Sequence, residues 1–168
     1  MAGKQTKTSN RCIEEIRHSK VKVHDPGTGM SAVLLNGERK MVRRIRMDGC
    51  LAPVGQRAAD FVVSLARSVD VIVELKGGDV DHAITQVEST RTFWRSHKEC
   101  EPGQTISAWI VCTQYPKASV KIGRYRESFR ALGGILQISA HNGEERGFLD
   151  FIPKRPQSPS RQPTACTR

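Results

Sequence analysis

Residues 60–78, DFVVSLARSVDVIVELKGG, constrain the fold more than any other part of this chain. Two apolar runs read as the arms of a hairpin, interrupted by Asp60, Glu74 and Lys76. Successive side chains of a strand alternate between faces. With Arg67 at the middle of the turn, Asp60 falls directly across from Glu74, and Lys76, two residues on, shares their face. The opposite face carries Phe61, Val63, Leu65, Val71, Val73 and Leu75, all apolar. Val62 and Ile72 sit on the charged face, so the hairpin is expected to be buried on both sides. An acid pair and a lysine are costly to bury unless they bind something.

The remaining elements follow from periodicity and turn chemistry. Asn10 is placed to cap a short helix, RCIEEIRHS, with Ile13 and Ile16 on one face. In residues 31–47, Asn36-Gly37 between apolar runs predicts a tight hairpin, whose second arm runs through Val42, Ile45 and Met47 to Asp48. After the 60–78 hairpin, Asp79 or Asp81 opens a helix with Ala83, Val87, Thr90 and Trp94 on one face and Ile84 beside them. Residues 105–113 read as a strand. Residues 117–132 read as a second helix, with Ile122, Tyr125, Phe129 and Leu132 at core spacing, and 135–141 as a final strand. From residue 142 the pattern fails. The expectation is a flexible tail over 1–9, one domain over 10–141, and a mostly disordered basic tail over 142–168. The fold class is α/β in the α+β sense, a mixed sheet covered by helices, because strands that arrive after helices need crossovers.

Lys and Arg number 27 against 17 acidic residues, a net charge of +10. A surplus this large on a small domain points to a polyanionic partner, nucleic acid first, although a solubilising surface or a basic ribonucleoprotein component would also carry it. No apolar run approaches membrane-spanning length, and MAGKQTKTSN has no apolar core of a secretory signal, so no membrane association is expected. The five cysteines are odd in number, widely spread and without CxxC. That pattern predicts reduced thiols in a cytoplasmic setting, with Cys50 and Cys112 as ordinary core residues, and argues against a disulfide framework or a zinc site.

Two carboxylates facing each other across a hairpin can hold a hard divalent cation, Mg²⁺ or Mn²⁺, with the Leu75 carbonyl as a further oxygen. Such a cation acidifies a water and neutralises phosphate charge, and Lys76 can orient that water or stabilise charge developing at phosphorus. An acid on one strand, E-x-K on the next and a helix after it resembles the PD-(D/E)xK nuclease superfamily, which includes restriction endonucleases and archaeal Holliday-junction resolvases. The run VIVELKGGDVDHAITQ is similar to a small bacterial and phage branch of it. The resemblance covers residues 13–140. It implies a restriction-endonuclease-like core (helix, three-stranded meander, helix, strand) with a further helix and strand. It also implies metal-dependent endonucleolytic cleavage of DNA and, in many members, homodimers. Carried over, Asp60 matches the first acid, Glu74 the second, Lys76 the lysine, and Gln86 the glutamine on the following helix.

The chain departs from that pattern in places. Ala59 stands where the name-giving proline would, and Thr90 where a tyrosine often follows the helical glutamine. A further acid completes the site in some branches, and Glu14, Glu15 and Asp48 are the candidates. The plain alternative for Asp60, Glu74 and Lys76 is a surface ladder of ion pairs; Val62 and Ile72 on the same face weigh against it. Lys117, Lys121 and Arg124 fall on one side of the second helix, either as a solvated face or as a phosphate-contacting strip. The alternative function is a catalytically inactive nucleic-acid-binding or interaction module on the same fold.

Overall fold

In a computed structural model of the protein, residues 11–114 and 120–154 are described. The expected Asn10 cap and Lys117 lie outside them, as do residues 1–9 and 155–168.

Arg67 adopts φ 55° and closes the hairpin between β5 (Phe61–Leu65) and β6 (Val69–Lys76). Phe61 pairs with Val73 and Leu65 with Val69, the register expected with Arg67 at the centre. Ahead of β5, β4 (Val42–Arg46) pairs antiparallel with it, and β1 (Ile13–Ile16) pairs antiparallel with β4. On the other side, β7 (Thr105–Cys112) runs parallel to β6, and β8 (Leu136–Ser139) parallel to β7. The sheet therefore has six strands in the order β1-β4-β5-β6-β7-β8. The two parallel steps need crossovers, and the helices α1 (Val80–Ser96) and α2 (Val120–Ala131) lie in them.

A second sheet is built from β2 (Lys20–His24), β3 (Ser31–Leu35) and β9 (Glu144–Gly147), in that order. The two sheets and the helices enclose two cores. On one face of the six-stranded sheet, Val62, Ile72 and Ile110 pack with Ala83, Ile84, Val87 and Trp94 of α1 and with Ile122 and Phe129 of α2. On the other, Val63, Val71, Val73 and Leu75 pack with Val21, Val23, Ala32 and Leu34 of the second sheet. The hairpin is thus sandwiched, as its double-sided apolar pattern requires.

Three expectations are corrected. Residues 11–19 do not form a helix: Ile13–Ile16 is a strand, and residues 20–24 alternate exposed and buried. Asn36-Gly37 does not join two paired strands, because β3 lies in the second sheet and β4 in the first. Asn36 is buried there and its amide donates to the carbonyls of His18 (3.0 Å) and Lys40 (2.8 Å), so it ties the crossing chain together. The domain also continues past residue 141. β9 pairs parallel with β3, and Phe148 and Phe151 are buried in the second core, Phe151 against Trp109.

The cysteine expectation is corrected as well. Cys12 and Cys50 form a disulfide, with Cα atoms 5.6 Å apart. Cys50 is partly exposed rather than a core residue, whereas Cys112 is a buried free thiol.

Candidate active site

Continuing the β5–β6 register by one residue sets Asp60 against Glu74 at the end of the hairpin. The Asp60 amide donates to Glu74 Oε2 (3.2 Å), and the Leu75 amide donates to Asp60 Oδ2 (2.7 Å). Lys76 Nζ lies 3.9 Å from Glu74 Oε1 and donates to Gln86 Oε1 on α1 (3.1 Å). Gln86 in turn donates from Nε2 to the Ala58 carbonyl (2.9 Å), and the buried Thr90 hydroxyl accepts from the Ala59 amide (2.7 Å). The helix thus pins the two residues ahead of Asp60, which fixes where its carboxylate points. Thr90 occupies the position where the resemblance expects tyrosine, and it does this work through the backbone.

The carboxylates pay for their position in desolvation. Burial, and then the charge of Asp60, push Glu74 up from 4.5 to about 8, against the pull of Lys76. Burial pushes Asp60 up from 3.8 to about 6, opposed by the Leu75 amide and reinforced by the charges of Asp25 and Asp48. Near neutral pH the pair therefore holds about one proton, titrating as a unit.

Another buried acid of the hairpin behaves differently. Asp70, fully buried at the far end of β6, accepts from Trp94 Nε1 (2.7 Å) and Gln104 Nε2 (2.6 Å). Its neighbours satisfy it as a structural carboxylate. Asp60 and Glu74 face each other instead, and among the described residues no donor reaches Asp60 Oδ1, while Glu74 Oε1 has only its long ion pair with Lys76.

One free oxygen from each of two opposed carboxylates fits a hard divalent cation that keeps several waters. Among the described residues no cluster of three or more His, Cys, Asp or Glu is set to hold a metal, so the protein's share of such a shell is this pair. For Leu75, expected as a carbonyl ligand, the group the structure brings to Asp60 is the amide N–H.

A cleft of about 540 Å³ opens beside Asp60. Its walls include Arg11, Cys12, Glu14, His24, Asp25, Arg44, Arg46 and Asp48. The geometry sorts the three candidate third acids. Glu14 is paired with Arg44, which also donates to the Lys22 carbonyl. Glu15 is exposed and does not line the cleft. Asp48 lines it, and its charge raises both Asp60 and Glu74. Asp48 sits in a wide turn, Met47–Leu51, where Gly49 takes φ 63°, and the disulfide at Cys50 anchors that turn to the start of β1. The basic wall formed by Arg11, Arg44 and Arg46 was not anticipated. Its signal was the alternation in VRRIR, which puts Arg44 and Arg46 on one face of β4.

Of the basic strip on the second helix, Lys121 and Arg124 are exposed on α2. Lys121 lies 3.6 Å from Asp81 in the first turn of α1, at the same end of the sheet as Lys76.

Comparison with models of protein families, with curated proteins and with solved structures found no match to this chain. What the fold defines is a mixed α/β domain with two sheets and two helices among its described residues. No helix among them is long and apolar enough to cross a membrane.

Proposed function

We propose that this chain is a divalent-metal-dependent endonuclease that hydrolyses phosphodiester bonds in DNA, with a restriction-endonuclease-like core and a site of PD-(D/E)xK type. The observation that carries the reading is the pair of half-buried Asp60 and buried Glu74, bonded across the hairpin, with Lys76 strung between Glu74 and Gln86. The element order supports it. A meander β4–β5–β6 is followed by α1, β7, α2 and β8, which is the order the resemblance implies apart from the opening helix, whose place is taken by β1–β3.

In this reading Asp60 and Glu74 hold Mg²⁺ or Mn²⁺. The bound cation would supply a water of lowered pKa and neutralise charge on the phosphate. Lys76 turns its ammonium from Glu74 toward the developing phosphorane charge, where a preorganised cation acts most strongly. Gln86 holds Lys76 in line, and Thr90 and Gln86 together fix the backbone from which Asp60 projects. Lys121 and Arg124 contact flanking phosphates. A cytoplasmic setting and a homodimer that cuts two strands belong to the same proposal. In a cytoplasm the Cys12–Cys50 bond would be open to thiol reductants.

A second reading, a catalytically inactive nucleic-acid-binding module, draws on the convergence of only two carboxylates. One panel separates the two. Supercoiled, linear, single-stranded and branched DNA are incubated with Mg²⁺, Mn²⁺ or EDTA. Cleavage that requires metal and is lost in Glu74→Ala and Lys76→Ala supports the nuclease. DNA binding without cleavage on every substrate supports the module and sinks the enzyme.

A further inference from the structure

The cleft beside Asp60 is lined by groups that the site itself does not use. Three arginines, Arg11, Arg44 and Arg46, face four carboxylates, Glu14, Asp25, Asp48 and Asp60, so the lining carries one excess negative charge with His24 neutral. The charges are not equally available. Arg44 is held by Glu14 and by the Lys22 carbonyl. Asp25 spends both oxygens on its own turn, accepting from the Gly27 amide (3.0 Å), the Thr28 amide (3.1 Å) and the Thr28 hydroxyl (2.7 Å). Arg11 and Arg46 are exposed, and among the described residues no side-chain partner holds either guanidinium. The free cations are thus two arginines on the wall, and the free anions are Asp48 and the Asp60 end of the carboxylate pair.

This arrangement has a definite ligand preference. As it stands, a polyanion entering the cleft meets Asp48 and Asp60 together with the two arginines. One divalent cation at Asp60–Glu74, bound with release of the proton the pair retains, cancels that excess negative charge, masks Asp60, and leaves Arg11 and Arg46 as the cations offered to an anion. Arg46 pairs with Phe61, so it projects from the face of the sheet opposite Asp60 and Glu74. The cleft, whose walls include both Arg46 and Asp60, wraps the end of the hairpin between the two faces. Exposed Lys22 on β2 extends the basic border away from the site.

We propose that this cleft seats the phosphodiester backbone of a polynucleotide, with Arg11 and Arg46 on its phosphates, and that the seat forms only together with a divalent cation at Asp60–Glu74. The proposal rests on the nuclease reading and specifies where the substrate strand runs. It differs from a strip on α2 alone: the strand passes from the β2–β4 side across Asp60 and Lys76 toward Lys121.

Fluorescence anisotropy of labelled single-stranded and duplex DNA tests it, with Lys76→Ala as the parent so that the ligand survives the titration in Mg²⁺. Parallel titrations use EDTA, and an unlabelled mononucleotide serves as competitor. Thermal melts check that each variant folds. The expected result is binding in Mg²⁺ that weakens at least roughly tenfold in EDTA. Arg11→Ala and Arg46→Ala should each weaken binding and lower the slope of log K against log salt by about 1, the signature of one lost phosphate contact. Unchanged affinity and slope in both arginine variants, while wild-type protein still cleaves DNA, would overturn the cleft and leave the nuclease standing. A mononucleotide that competes as well as the oligonucleotide would overturn the polynucleotide seat in favour of a small-ligand pocket. Absence of cleavage by wild-type protein, together with no response of its melting temperature to Mg²⁺ or Mn²⁺, would overturn the underlying reading as well.

Discussion

Replacing Glu74 by Gln should stabilise this protein, and by an amount that depends on pH. The Glu74 side chain is 2% exposed, and burial with the charge of Asp60 holds it at about 8 against an ordinary 4.5. Between those values the folded protein keeps a proton that the unfolded chain has released. Unfolding free energy therefore falls as pH rises through this window and stays low above it. The rise from 4.5 to about 8 is worth about 5 kcal/mol at full ionisation. Part of that is shared with Asp60, because the two titrate together. Glutamine keeps an acceptor oxygen for the Asp60 amide and removes the charge. At pH 5 the two proteins should melt within a few degrees of each other. At pH 9, in EDTA, Glu74→Gln should melt higher by on the order of 10 °C, at about 2–4 °C per kcal/mol for a chain of this size. Circular dichroism melts across the range measure this, and other titrating groups cancel in the difference. Parallel melting curves for the two proteins at all pH values would refute the idea that Glu74 is a desolvated, unneutralised acid.

Other predictions concern what holds the site in place. Opening the Cys12–Cys50 bond, with reductant or by Cys12→Ser, releases a 38-residue separation and should lower stability by about 4 kcal/mol, read as a drop in urea midpoint; an unchanged midpoint would show that the crosslink does not constrain the unfolded chain. Thr90→Val removes the acceptor of the buried Ala59 amide and should cost about 1–3 kcal/mol, with faster amide exchange at Ala59; unaltered exchange there would contradict the pinning role given to α1. Gly134→Ala places a Cβ 2.0 Å from the Ile106 carbonyl oxygen, so the turn into β8 must shift at about 1–3 kcal/mol. A variant as stable as the parent would mean that the turn ahead of β8 lies less closely against Ile106 of β7 than described.

Much of the site was readable because a hairpin obeys simple arithmetic. Once Arg67 is set at the turn, every cross-strand pair follows, and Asp60 opposite Glu74 is one of them. Gln86 is named by the resemblance, which places a glutamine on the helix after E-x-K; helical spacing puts Thr90 on the core face of α1, but nothing in the sequence announces its bond to the Ala59 amide. What failed was contact between distant segments. Ile13 and Ile16 have helical spacing, yet tertiary pairing with β4 made them a strand. KVKVH carries its period of two openly, with Val21 and Val23 buried between exposed Lys20, Lys22 and His24, yet the sequence reading assigns it no element. Asn36-Gly37 gave a sound local turn signal, but its two flanks were recruited by different sheets. Phe148 and Phe151 looked too few to anchor a segment, although two aromatics suffice when a core lacks a lid. Cys12 and Cys50 are brought together by the β1–β4 pairing, which no count of cysteines contains. Asp70 went unremarked because it breaks no apolar pattern beyond its own position; Trp94 and Gln104 neutralise its cost.

The central claim is that Asp60 and Glu74 are kept apart from other partners to hold a divalent cation. Titration calorimetry with Mn²⁺ at pH 7, repeated in buffers of different ionisation enthalpy, tests it directly, because metal binding must displace the proton that the pair retains. The account predicts one Mn²⁺ per chain with release of about one proton, and loss of both in Glu74→Gln. No Mn²⁺ binding, or binding that survives Glu74→Gln with the same proton count, would contradict it.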